Sequence, residues 1–219
     1  QPEMFNWEEI LEGSDWFHWT GITPAISRGV ADTCLEAIKV AKKLGVTVSG
    51  DVHSRQSLWQ YGKTRQEVLP AFVENTDVVI ASAYDMHDVF AIGSEGADFK
   101  ESAKALQEKY SGINVVADKD REMLSASHNR IQGKMWNGTR LVTSPSYDVT
   151  HIVDRVGTGD AFAAGLIYGL LHHEQDEVAI KYGAAACALK HTVEGDANMV
   201  LEEDVTNLVR GNYDGRIKR

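Results

Sequence analysis

The chain has 219 residues, 43% hydrophobic and 25% charged, with a formal net charge of −10. That composition suits a globular chain with a sizeable core, and the acidic balance argues against a nucleic-acid binder, which gathers Lys and Arg on one face. No run of 18 apolar residues marks a membrane span, and the start QPEMFNWEEI lacks the basic and apolar regions of a signal peptide, so no membrane partner is expected.

Strand-like and helix-like segments alternate from the start. DWFHWTG (15–21) is aromatic and closes on glycine. SRGVADTCLEAIKVAKKLG follows, with Val30, Cys34, Ala37, Ile38, Ala41 and Leu44 at helical spacing, Ser27 as N-cap and Gly45 as stop. VTVSGD (46–51) is the next strand. RQEVLPAFVENT reads as a helix interrupted by Pro70, and DVVIAS (77–82) as another short strand. YDMHDVFAI and ADFKESAKALQEKY read as helices, and INVVAD (113–118) returns to strand. This alternation predicts a parallel sheet covered on both faces. Cys34 and Cys187 sit in apolar helical patterns without a CxxC or His-rich partner, which suits two buried small hydrophobes in a reducing, cytoplasmic setting.

The middle changes character. KMWNGTRLV sets Asn137-Gly138 between two strand-like runs, a hairpin signature. Three helical stretches then follow without a strand between them: DAFAAGLIYGLLHH, DEVAIKYGAAACALKHT and EEDVTNLVRG. No repeat or linker divides the chain, so residues 1–219 read as one α/β domain, mainly parallel with an antiparallel hairpin.

The stretch DRVGTGDAFAAG (154–165) carries the chemistry. It runs from a strand end through glycines into a helix, so the free N–H groups of the first helical turn point outward with the positive end of the helix dipole. Such a nest stabilises a phosphate or a phosphoryl group in flight. Asp160 at its edge could accept the proton of an attacking hydroxyl; the other reading is a carboxylate that complements the helix dipole.

Asp154, Gly157, Gly159, Asp160, Phe162 and Gly165 together resemble the second signature of the ribokinase-like (PfkB) carbohydrate kinases, DTxGAGDxFxxG, with Arg155 and Thr158 as variants. The DRVG form resembles the 2-keto-3-deoxygluconate kinase branch. DWFHWTGITPAIS, GDVHSRQSLW, SASHN and LKHTVEGDAN resemble its other blocks. The resemblance implies a three-layer α/β/α sandwich and ATP-dependent phosphorylation of a sugar or sugar acid. Asp160 would be the catalytic base, also touching substrate, and Gly157, Thr158 and Gly159 the anion hole. Lys119 and Arg121 would flank the nucleotide, with His53 and Ser54 on the same ATP side. Arg55 would meet the sugar-acid carboxylate or the phosphates, Asp196 and Ile22 would contact the sugar, and Mg²⁺ would arrive with ATP, facing Asp85 through water. Read by themselves, Arg55 is a solvated charge and Asp196 a turn residue after Gly195.

The chain departs from the family pattern at three places. His53 stands where the family has Asn, and Ser82-Ala83-Tyr84-Asp85 stands where it has N-x-x-E. The family's opening strand, Gly-Gly motif and lid would precede Gln1, so the chain reads as truncated at its N-terminus, with an apolar edge expected to self-associate into a homo-oligomer. Three functions follow: a carbohydrate kinase; a catalytically impaired relative that binds nucleotide or sugar acid as a sensor or partner subunit; and a dinucleotide oxidoreductase. The last is disfavoured because its GxGxxG should follow the first strand.

Overall fold

The computed structural model describes residues 2–53 and 55–211, and the chain divides into two compact units. The first comprises Gln1–Ala117 with Trp136–Arg140, the second Asp118–Met135 with Leu141–Arg219.

In the first unit, the aromatic and β-branched runs form parallel strands in the order β1 (Trp16–Thr20), β2 (Thr47–Asp51), β3 (Val78–Ile80) and the beginning of β4 (Val115–Ser125). The register places Trp19, Gly50, Val79 and Val116 in one row across the sheet. Gly50 is required there: a Cβ would overlap the Trp19 indole, with its Nε1 2.5 Å away. The indole is only 2% exposed, donates to Thr76 Oγ1 at 3.0 Å and meets Phe72 edge-on with centroids 5.2 Å apart, so its polar atom is satisfied inside the core.

The helices of this unit are α1 (Trp7–Leu11), α2 (Thr23–Ile26), α3 (Arg28–Lys43), α4 (Arg65–Val73), α5 (Ala83–Phe90) and α6 (Phe99–Lys109). α3 begins and ends as its sequence predicts: Ser27 Oγ accepts from Val30 N, and Gly45 follows at φ +77°. α4 differs from expectation, because it runs through Pro70 without a break. An interior proline costs about 3 kcal/mol, but Leu69, Phe72 and Val73 are all at most 1% exposed, and each contributes roughly 1.5–3 kcal/mol by burial.

The second unit holds the rest of β4, then β5 (His128–Trp136) up to Met135, β6 (Leu141–Thr143), β7 (Tyr147–Val149), α7 (Thr158–His172), α8 (Asp176–Lys190) and α9 (Glu202–Val209). The strand expected to end at Asp118 continues to Ser125. Its extension is exposed and charged, so no apolar alternation announces it; cross-strand pairs such as Arg130–Glu122 at 3.0 Å accompany its pairing with β5. The Asn137-Gly138 turn forms between β5 and β6, with Gly138 at φ +90°. β7 pairs antiparallel with β5, Asn129 opposite Val149.

α7 and α8 carry apolar residues nearly all round because they bury most of their surface. They pack closely through glycine. A Cβ on Gly165 would come 2.5 Å from the Tyr182 carbonyl oxygen, and one on Gly169 would come 2.5 Å from Ala179 Cα. Among the described residues, no helix is long and apolar enough to cross a membrane.

Candidate active site

In the second unit a glycine-led turn opens α7. Gly157, at φ +74° and ψ 2°, turns the chain into α7 and offers no side chain to cap it. The left-handed turn and the close approach both demand glycine: a Cβ would overlap the Asp196 carbonyl oxygen, with the carbonyl carbon 3.0 Å away. Thr158 is buried, and its hydroxyl donates to the Arg155 carbonyl at 2.9 Å rather than facing outward. The first-turn N–H groups of α7 thus remain for a ligand.

Lys119, at the start of the second unit's part of β4, brings a cation to this point. Its Nζ lies 3.9 Å from where a Gly159 Cβ would be and 5.1 Å from the Phe162 ring centroid. Asp160 is exposed, one residue past the glycines. Asp196 also reaches the helix start, but through its main chain, with its side chain exposed.

Around this core the loops 153–157 and 191–196 are tied together. Val153 N and Asp154 N donate to the His191 carbonyl at 2.8 and 3.2 Å. Asp154 Oδ1 accepts from Val156 N at 2.9 Å and Oδ2 from Gly195 N at 3.0 Å. The Val156 N–H, followed by those of Gly195 and Arg155 and the Lys190 charge, holds the Asp154 carboxyl below the usual range. His191 is fully buried, and burial pushes its imidazole below its ordinary value, with the charges of Arg121, Arg155 and Lys190 acting in the same direction. Arg121 itself is exposed on β4. Asp118 is pushed up to about 6, first by burial, against the opposing pull of Lys134 at 3.4 Å.

In the first unit, Ile22 is half-buried at the start of α2 and its N–H donates to Thr20 Oγ1. His53 is exposed, with its N–H donating to Asp51 Oδ1, and Arg55 is exposed at the head of a 3-10 turn. Asp85 is buried and caps α5: its Oδ2 accepts from Ser82 N at 3.1 Å and Ser82 Oγ at 2.6 Å. Ser54 lies outside the described residues. Sequence reading missed the loop-tying role of Asp154 and the full burial of Lys190; the available signal for the latter was a lysine closing the apolar run GAAACALK just before a Gly-Asp turn.

A mixed, mostly parallel sheet with flanking helices, and a glycine-bracketed helix start carrying an exposed aspartate, define a ribokinase-like α/β protein. Residues 1–203 match the model of the pfkB family carbohydrate kinases, and the chain belongs to that family. It is 30% identical over 207 residues to a 2-dehydro-3-deoxygalactonokinase of Haloferax volcanii, covering 94% of this chain and 61% of that protein. The structure of a 2-dehydro-3-deoxygluconokinase from Thermotoga maritima superposes with a TM-score of 0.86 at 37% identity, covering 96% of this chain and 64% of that one. A PfkB family carbohydrate kinase from Listeria grayi gives the same TM-score at 30% identity, covering 94% and 63%. The chain therefore spans somewhat under two thirds of the length of these relatives.

Proposed function

We propose that this chain carries the phosphoryl-transfer centre of an ATP-dependent kinase for a sugar acid, with 2-keto-3-deoxygluconate phosphorylated at its 6-hydroxyl. The observation that carries this reading is the juxtaposition at the start of α7: outward N–H groups after Gly157, the Lys119 ammonium beside Gly159, and the exposed Asp160 carboxylate. The Thermotoga and Haloferax relatives are named for 2-dehydro-3-deoxy sugar acids, which directs the choice of substrate class.

The donors fit a polyphosphate, since backbone N–H groups, a helix dipole and an ammonium converge while the carboxylate stands at the rim. ATP with its Mg²⁺ would supply the transferable phosphoryl group. Asp160 takes the proton of the substrate hydroxyl as the oxygen attacks. The N–H groups of Thr158 and Gly159, with Lys119, stabilise the charge developing on the equatorial oxygens, and their fixed placement keeps reorganisation small. By the family resemblance Ile22 and Asp196 would contact the sugar, Arg55 its carboxylate or the phosphates, His53, Ser54 and Arg121 the ATP side, and Asp85 the Mg²⁺ through water.

Coupled ADP-release assays with 2-keto-3-deoxygluconate, its galactonate epimer, fructose and ribose test the substrate class, alongside ATP titration by calorimetry. Asp160→Asn is expected to lower kcat by about 10²–10⁴ while ATP affinity stays near that of the parent, because a base and not a phosphate ligand is removed. Turnover within about threefold of the parent would remove Asp160 from the mechanism. ATP binding without turnover in the unaltered chain would favour a non-catalytic nucleotide binder.

A further inference from the structure

We propose that Lys190 is a positioning residue for the anion site at the start of α7, its buried ammonium acting as an internal cation that holds one loop against the other. The proposal deepens the kinase reading and rests on it for its consequence in nucleotide binding.

Lys190 closes α8 and is fully buried. Its Nζ donates to the Val193 carbonyl at 2.9 Å and to the Gly195 carbonyl at 2.6 Å. Among the described residues no carboxylate forms an ion pair with it, so main-chain oxygens are the acceptors that make a buried ammonium tolerable. Those oxygens belong to the turn that reaches the anion site. The Gly195 N–H, on the residue whose carbonyl Lys190 grips, donates to Asp154 Oδ2, and Asp154 Oδ1 receives the Val156 N–H one residue before Gly157. The adjoining Asp196 carbonyl fills the space that a side chain on Gly157 would need. A continuous path thus runs from the ammonium through Gly195 and Asp154 to the residue that opens α7.

Removing the ammonium leaves the Val193 and Gly195 carbonyls without their donor and an uncompensated gap at the end of α8. The 193–196 turn then loses its anchor on the α8 side, while the buried faces of α7 and α8 stay intact. The consequence is local: Asp196 and Gly157 part, and the first-turn N–H groups of α7 lose their fixed direction.

The test compares the unaltered chain with Lys190→Met, which keeps the stem's volume, and Lys190→Ala, which leaves room for an exogenous amine. Amide hydrogen exchange is expected to quicken about tenfold or more at 153–159 and 193–196 in both variants, while 128–135 and 176–188 keep their protection. Ammonium or methylammonium chloride, against sodium chloride at equal ionic strength, restores protection in Lys190→Ala and not in Lys190→Met. ADP affinity falls about tenfold in both and recovers only in the rescued alanine variant, because the phosphate-facing N–H groups are what has moved. Unchanged exchange at 153–159, equal loss of protection throughout the second unit, loss of folding in both variants, or absence of amine rescue overturns the proposal. If the unaltered chain binds no nucleotide, the kinase reading fails, and the exchange pattern still decides the role of Lys190.

Discussion

Replacing Gly157 with alanine sets two separable penalties against one gain. At φ +74° an alanine incurs the left-handed strain of about 1–2 kcal/mol. Its Cβ also overlaps the Asp196 carbonyl, where the obstacle is main chain rather than a mobile side-chain tip, adding roughly 1–3 kcal/mol of overpacking. Against these stands the smaller entropy of the unfolded chain, about 0.4–1 kcal/mol. The net expectation is a loss of about 2–4 kcal/mol, or a Tm lower by roughly 5–15 °C for a chain of this size. Gly195→Ala is the internal control. It lies in the same unit at φ +83° with nothing within 4 Å of its Cβ, so only the conformational part applies, about 1 kcal/mol. Far-UV circular dichroism during urea unfolding is the suitable probe, because the five tryptophans (7, 16, 19, 59 and 136) all fall in the first unit. Equal destabilisation by the two substitutions would refute the close approach of Asp196 to Gly157, and with it the packing at the start of α7.

Gly165→Ala opposes helix propensity to packing: alanine gains about 1 kcal/mol in a helix, yet its Cβ would lie 2.5 Å from the Tyr182 carbonyl oxygen. A net loss of about 1–2 kcal/mol in urea unfolding is expected, and a more stable variant would show that α7 and α8 separate without cost. Asp118 gives a pH signature. Its folded value of about 6 lies above its unfolded one, so the folded state holds the extra proton between the two, and stability falls as pH rises through that window. Asp118→Asn should flatten the decline between about pH 4 and pH 6, gaining on the parent by roughly 1–3 kcal/mol across that range. Parallel stability curves for the two proteins would contradict this. Gly50→Ala should cost about 2–3 kcal/mol by displacing the Trp19 indole, seen as a red-shifted tryptophan emission before the unfolding transition; an unshifted spectrum would count against it.

Short-range chemistry made much of this protein legible in its sequence. The helical spacing from Val30 to Leu44 between Ser27 and Gly45, the strands VTVSGD and DVVIAS, and the Asn137-Gly138 turn all depend on periodicity and on conformations that few residues adopt. The start of a helix at GTGD was also legible, because glycine suits the left-handed turn that leads into it and an aspartate suits the first turn. Tertiary structure decided the rest. β4 runs on to Ser125 because a partner strand supplies its hydrogen bonds, and α4 passes through Pro70 because its buried side chains outweigh the missing bond. Lys190, read along the chain, is a charged residue at a helix end, where cations are commonplace. Only when the 191–196 turn folds back over α8 does that charge become buried, and only then does a carbonyl from Asp196 arrive against Gly157. Propensities act over a few residues and can be read locally, whereas burial and close approach depend on segments far apart in the chain and exist only once it has folded.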